Sequence, residues 1–188
     1  MSENLKIALK LTLICFIAVL LLSTVNICTQ KKIAENENKV ENLANKELFQ
    51  QGAKFEKKEF KNPIIDKTKE YFYNVYNSQN AKIGYIISVM ANGYGGEMKL
   101  MVALNNSLEI VNVKLLKNSE TPGIGKNAEK SEYMKKFIGT NTKEKPLPQK
   151  KNDLSSEDSD SITGATITFN AIANGIKRSI DLITEEQK

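Results

Sequence analysis

Apolar and polar positions divide the chain into three regimes. The first is a run without formal charge, Leu11 to Gln30, bounded by Lys10 and Lys31. As a helix it rises about 30 Å, the thickness of a bilayer's hydrocarbon core. Two other fates for such a run fit less well. A cleaved signal peptide needs small residues at its cleavage site, and Val25-Asn26-Ile27 does not supply them. A lipoprotein needs a small residue before the lipidated cysteine, and Ile27 precedes Cys28. The reading is a retained transmembrane anchor over residues 1–30 that contacts membrane lipid. Lys6 and Lys10 flank one end, Lys31 and Lys32 the other, so counting positive charges does not orient it. Cys15 and Cys28 read as small apolar helix residues.

The second regime, residues 31–70, is charged. Ile33, Val40, Leu43, Leu48 and Phe49 recur at loosely helical intervals and predict a helical stalk to about residue 56. A Lys-rich polar linker broken by Pro63 comes next. The third regime, residues 71–188, carries the domain. Short apolar runs at Tyr71–Tyr76, Ile83–Met90, Met98–Leu104 and Leu108–Leu116 are separated by Asn- and Gly-rich turns. That spacing predicts a four-stranded antiparallel meander. Ala128–Ile138 reads as a helix. A final helix after Gly164 places Ile167, Phe169, Ile172, Ala173, Ile176, Ile180 and Ile183 mostly on one face. The fold class is α+β: an N-terminal transmembrane helix and stalk, then an antiparallel sheet with flanking helices.

Composition narrows the chemistry. Hydrophobic residues make up 40% and charged residues 26%, which suits a soluble domain on a small anchor. The net charge of +5 is spread along the chain and calls for acidic surfaces or lipid headgroups rather than nucleic acid. The basic loop Lys143–Lys151 lies next to the acidic stretch Asp153–Asp160. Both read as solvated, with docking of a partner as the sharper alternative. There is no histidine, and the two cysteines form no CxxC pair. A metal site is therefore not expected, and any redox chemistry must come from a bound cofactor.

Two motifs stand out. In Asp160-Ser161-Ile162-Thr163-Gly164-Ala165-Thr166, a glycine turn leads directly into the last helix. The unpaired N–H groups of a helix start favour a phosphate, and a threonine hydroxyl there can contact one or be esterified to it. Equally, Thr163 or Thr166 can simply cap the helix. In Glu120-Thr121-Pro122-Gly123-Ile124-Gly125, a rigid turn with two glycines leaves room for something flat against the backbone, with Glu120 and Thr121 at its edge. It can also be an ordinary strand-to-helix loop with Glu120 solvated. The turn Gly93-Tyr94-Gly95-Gly96 reads as a hairpin with Tyr94 packed over the sheet edge.

Both motifs resemble the hallmarks of the FMN-binding domain family, in the family's order. The resemblance covers roughly Tyr71 to Ile183. It implies that an FMN transferase attaches FMN through its phosphate to Thr166, with Asp160, Thr163, Gly164 and Ala165 matching the other fixed positions of the attachment motif. It also implies that Glu120, Thr121, Pro122, Gly123, Ile124 and Gly125 line the isoalloxazine ring. The family often carries a histidine two residues before the glutamate; here the position is Asn118, which excludes an ionisable role. With its single anchor and modest length, the chain is similar to the G-subunit family of Rnf-type ion-translocating ferredoxin:NAD oxidoreductases. The longer C subunits of sodium-pumping quinone reductases are related. The resemblance implies a covalent-FMN electron carrier, partnered by the other membrane and peripheral subunits, with its flavin domain outside the cytoplasmic membrane. The alternative is a membrane-tethered FMN-binding sensor or assembly protein that moves no electrons. Neither role requires catalysis by the chain on its own.

Overall fold

The structure is a computed structural model that describes residues 3–60, 70–120, 125–162 and 165–188. It forms two compact units, Met1–Asn42 and Leu43–Lys188.

Helix α1 runs without a break from Glu3 to Leu48. Its first unit is long and apolar enough to cross a membrane. Leucine, isoleucine, valine and phenylalanine side chains point outward along it. Its threonines do not leave bare hydroxyls. Thr12 donates to the Ala8 carbonyl at 2.9 Å, and Thr24 and Thr29 donate to Leu20 and Val25 at 2.8 Å. A hydroxyl satisfied within its own helix lowers the cost of a lipid surrounding.

The second unit is built on a sheet of five antiparallel strands in sequence order. They are β1 (Lys54–Glu59), β2 (Tyr71–Tyr76), β3 (Lys82–Asn92), β4 (Glu97–Asn105) and β5 (Ile110–Asn118). The sequence pattern predicts four strands, and β1 is the one it misses. Lys-Phe-Glu-Lys-Lys-Glu reads as polar linker because none of its side chains is fully buried. It nevertheless pairs with β2 from Lys54↔Tyr76 to Glu59↔Tyr71. Charged side chains suit an outer strand, where they discourage pairing with another chain. Lys57 is not idle there: its ammonium sits 3.6 Å from the centre of the Tyr71 ring.

Both faces of the sheet are covered. On one face Ala44, Leu48 and Phe49 pack with Tyr71, Tyr73, Val75, Ile86, Met101 and Ala103. The stalk's last turn is thus core rather than spacer. On the other lies α4 (Thr166–Glu186), which buries Phe169, Ile172, Ala173, Ile176 and Ile183 in a cluster with Val89, Leu100 and Val102. A Cβ on Gly175 would come within 2.7 Å of Leu100 Cδ1, so glycine sets how closely the helix approaches.

Two helical expectations are corrected, and one short helix is added. Ile167 is 57% exposed and off the buried face. At ~100° per residue it stands roughly 160° from Phe169, and Thr168 takes the inward place. The expected helix Ala128–Ile138 is a 3-10 turn, Gly125–Glu129, and a single turn, α2 (Ser131–Met134), separated at the extended Lys130. The acidic stretch contains a short helix, α3 (Ser156–Ser161), capped by Ser155. Asp153 accepts from the backbone N–H of Gln149 and Lys150 at 2.8 and 2.9 Å, which holds its carboxyl below the usual range. Asp158 pairs with Lys136 at 3.2 Å, and that contact lowers it too. The basic and acidic segments therefore meet in one cleft of about 880 Å³, lined in part by Lys136, Lys145, Asp153 and Asp158.

The placement of β1 and Phe49 has a direct consequence. A fragment starting at Leu43 should fold and unfold cooperatively. One starting at Tyr71 exposes the aromatic face of β2 and should lose several kcal/mol, because burying one large apolar side chain contributes about 1.5–3 kcal/mol. Urea unfolding of the two fragments checks this. Equal midpoints would show that Ala44–Glu59 is dispensable.

Candidate functional site

Strand β5 ends at Asn118, and its side chain shapes the loop beyond the strand. Asn118 Oδ1 accepts the Glu120 N–H at 2.9 Å, and Nδ2 reaches the Gly125 carbonyl at 3.5 Å. An Asx turn of this kind reverses the chain locally and tolerates no loss of the side-chain acceptor. Asn118 thus bonds to the described residue on each side of segment 121–124.

The turn drives Glu120 inward, to 4% exposure. Its Oε1 accepts the Gly95 N–H at 3.1 Å, and its Oε2 accepts the Thr168 hydroxyl at 3.1 Å. One carboxylate thereby joins the β3–β4 turn, the loop after β5 and the first turn of α4. Glycines make the room. A Cβ at Gly93 would lie 1.9 Å from Glu120 Oε1, and one at Gly125 would lie 2.4 Å from Oε2. At Gly95 it would lie 2.5 Å from the Ser119 carbonyl. At Gly125 the direction a side chain would take is occupied by Glu120 itself. Gly96 closes the turn at φ +133°, a conformation that L side chains rarely adopt.

Tyr133 on α2 borders this cluster. Its ring packs 6.4 Å from that of Phe169, and its hydroxyl is buried without a hydrogen-bond partner among the described residues. Burial, and secondarily the Glu120 carboxylate, push its pKa well above 10.0. It remains a donor across the physiological range.

The threonines now separate. The N-cap of α4 is Ala165, with no side-chain cap, so Thr166 is the first helical residue and does not cap the helix. Its side chain is exposed. Thr168 is 2% exposed and its hydroxyl is committed to Glu120. Of the residues read from the sequence, Glu120, Gly125, Ala165 and Thr166 are described. Thr121, Pro122, Gly123, Ile124, Thr163 and Gly164 lie outside the described residues. The flanks of the two motifs, Glu120 and Thr168, meet directly. Sequence reading gives Tyr133 no part in the site and does not foresee that Thr168, Gly93 and Gly95 meet Glu120. The glycine turn does carry a signal, both as a hairpin and as a match to the family, and Thr168 stands among the hydroxyls near the helix start. Among the described residues no cluster of acidic and cysteine side chains could hold a metal ion.

Thr168→Val should cost about 1–3 kcal/mol, the penalty for leaving a buried acceptor unpaired. Glu120→Ala should cost more, since it strands two donors and opens a cavity. Thermal unfolding of the purified domain checks both. A Thr168→Val midpoint equal to that of the parent would remove the carboxylate from its linking role.

Residues 93–181, from the β3–β4 turn into α4, match the model of the FMN-binding domain family. Over 93% of its length the chain is 26% identical to the G subunit of the proton-translocating ferredoxin:NAD(+) oxidoreductase complex of Clostridium ljungdahlii, covering 89% of that protein. It is 27% identical to the G subunit of the Na(+)-translocating ferredoxin:NAD(+) oxidoreductase complex of Acetobacterium woodii, over 94% of this chain and 92% of the relative. It is 33% identical to the G subunit of an ion-translocating oxidoreductase complex of Buchnera aphidicola, over 69% and 66%.

Proposed function

Residues 93–181 being a domain of the FMN-binding family, we propose that the chain is an FMN-carrying redox subunit of an Rnf-type, ion-translocating ferredoxin:NAD oxidoreductase complex. The likeness to G subunits of such complexes along nearly the whole chain supports the assignment. So does an anchor helix of membrane-spanning length.

FMN is held on Thr166 through a phosphoester. The observation that carries this is the contrast between the two described hydroxyls at the start of α4. Thr166 is exposed and does not cap the helix, while Thr168 is buried and bound to Glu120. A transferase can reach only the first. In the attachment step the Thr166 oxygen forms a bond to the flavin's phosphorus and loses its proton. The anhydride bond of a flavin dinucleotide donor breaks, and a nucleoside monophosphate leaves. A threonine hydroxyl is a weak nucleophile, so the transferase supplies the activation.

When bound, FMN accepts electrons in pairs and can release them singly, which suits a relay between unlike partners. The chain's own residues hold and orient it. The first turn of α4 would offer backbone N–H groups to a phosphate held on Thr166. Glu120 fixes the β3–β4 turn and α4 as two rigid borders, and the loop Thr121–Gly125 continues the chain from it. The domain stands on the extracytoplasmic side, where a covalent tether prevents loss of the cofactor. The other subunits of the complex are its partners, and α1 lies in the membrane lipid.

Thr166→Ala should abolish covalent FMN while leaving the domain folded. Thr163→Ser should keep it. The intact mass of each chain, coexpressed with an FMN transferase, checks this: an FMN increment on Thr166→Ala would sink the assignment. For topology, protease added to intact spheroplasts should digest the domain. Protection until lysis would place it inside.

A further inference from the structure

Tyr94, expected over the sheet edge, is instead 76% exposed, but a single exposed apolar residue is ordinary. Three residues of α1 are out of place in a more systematic way. Asn26 is a polar amide in the uncharged run Leu11 to Gln30. Ile33 and Val40 are the only large apolar residues between Lys31 and Asn42, where every other residue is Lys, Glu, Asn or Ala. All three are exposed, Ile33 at 55% and Val40 at 49%. They recur at intervals of seven, and seven residues bring a helix back to within roughly 20° of the same direction. One face of α1 is therefore polar where the helix crosses lipid and apolar where it stands in water.

Both halves have the same physical reading. The hydroxyls of Thr12, Thr24 and Thr29 bond to their own helix, whereas the Asn26 side-chain amide has no partner among the described residues. In hydrocarbon an unpaired amide is costly, and side chains that carry such groups face other helices. Beyond the membrane the contrast reverses, and apolar residues at heptad spacing mark the face that a helix buries. One neighbour lying along both halves satisfies both. Because α1 passes from one medium to the other without a break, that neighbour must do so too.

We propose that the face Asn26–Ile33–Val40 docks a transmembrane helix of another membrane subunit, an inference that rests on the membrane complex proposed above. That helix continues past the bilayer beside α1 for about 14 Å, the rise from Lys31 to Val40. It carries a hydrogen-bonding side chain opposite Asn26 and apolar side chains opposite Ile33 and Val40. β-Branched residues at successive heptad positions suit packing against one helix rather than several. The charge at the edge of the face says more about the partner. Lys32 is paired with Glu35 at 3.7 Å, whereas Lys39, beside Val40, is exposed and has no ion pair among the described residues. A carboxylate on the partner's flank complements it.

The test places a photoreactive benzophenone side chain at single positions of the full-length chain, in membranes of cells that make the whole complex. Positions 33 and 40 should crosslink to a membrane protein, with the joined peptide adjoining one of its apolar spans. Positions 35 and 42, on the far side of the helix, should crosslink several-fold less. Equal yields at all four positions, or none at 33 and 40, overturn the docking face. A product of twice the chain's mass overturns the neighbouring subunit in favour of a second copy. A crosslinked membrane protein that does not copurify with ferredoxin:NAD oxidoreductase activity overturns the complex assignment and leaves the face standing. Asn26→Leu should stay in the membrane but copurify with the crosslinked protein several-fold less. Undiminished copurification overturns the pairing at Asn26.

Discussion

The Glu120 carboxylate is the constraint on which the candidate site depends. It is buried, and among the described residues its partners are a backbone N–H and a hydroxyl rather than a cationic side chain. Hydrogen bonds to a carboxylate contribute roughly 1.5–3 kcal/mol each, but only if the donors stay in place. That requirement runs both ways. The donors come from residues 25 and 48 positions away, so satisfying one carboxylate sets the relation of a hairpin turn to a helix start. Glycine at 93, 95 and 125 follows, because a methyl group at 93 or 125 would overlap the carboxylate and one at 95 the Ser119 carbonyl. A turn that looked like a hairpin detail and a loop that looked like a ligand rest are two sides of one packing problem.

Much of the fold was legible because its periodicities are clean. The short apolar runs of β2 to β4 report strands buried on both faces, and the 3.6-residue period after Phe169 reports one buried helix face. Edge strand β1 was not legible, since an outer strand made of Lys and Glu has the composition of a linker. The end of α1 was hidden for a related reason. Leu43, Ala44, Leu48 and Phe49 do show helical spacing, but nothing in the spacing says that Ala44, Leu48 and Phe49 cover a second sheet face while Leu43 stays exposed.

The site was legible in type and only partly in arrangement. Motif likeness pointed to Thr166 and Glu120, yet no local pattern distinguishes Thr166 from Thr168 as nucleophile candidates. The distinction is tertiary: two residues along one helix turn, one hydroxyl faces the carboxylate and the other faces out. Asn118 makes the same point. A non-ionisable residue there looked like a loss relative to histidine, and its amide instead carries both bonds that shape the loop.

This division of labour explains how a domain without histidine or clustered cysteine can serve redox chemistry. In the proposed reading the buried hydroxyl belongs to the scaffold and the exposed one to modification, so a group could be added to Thr166 without disturbing the bond between Thr168 and Glu120. Had the roles been reversed, esterification would remove a donor from Glu120 and loosen the turn that borders the cofactor. In that reading an attachment oxygen one residue before the exposed Ile167, rather than within the core, keeps the attached group at the surface. A carrier that must exchange electrons with neighbours needs its cofactor rigidly held yet reachable. A buried carboxylate that ties the β3–β4 turn to the first turn of α4, beside an exposed hydroxyl, suits both demands.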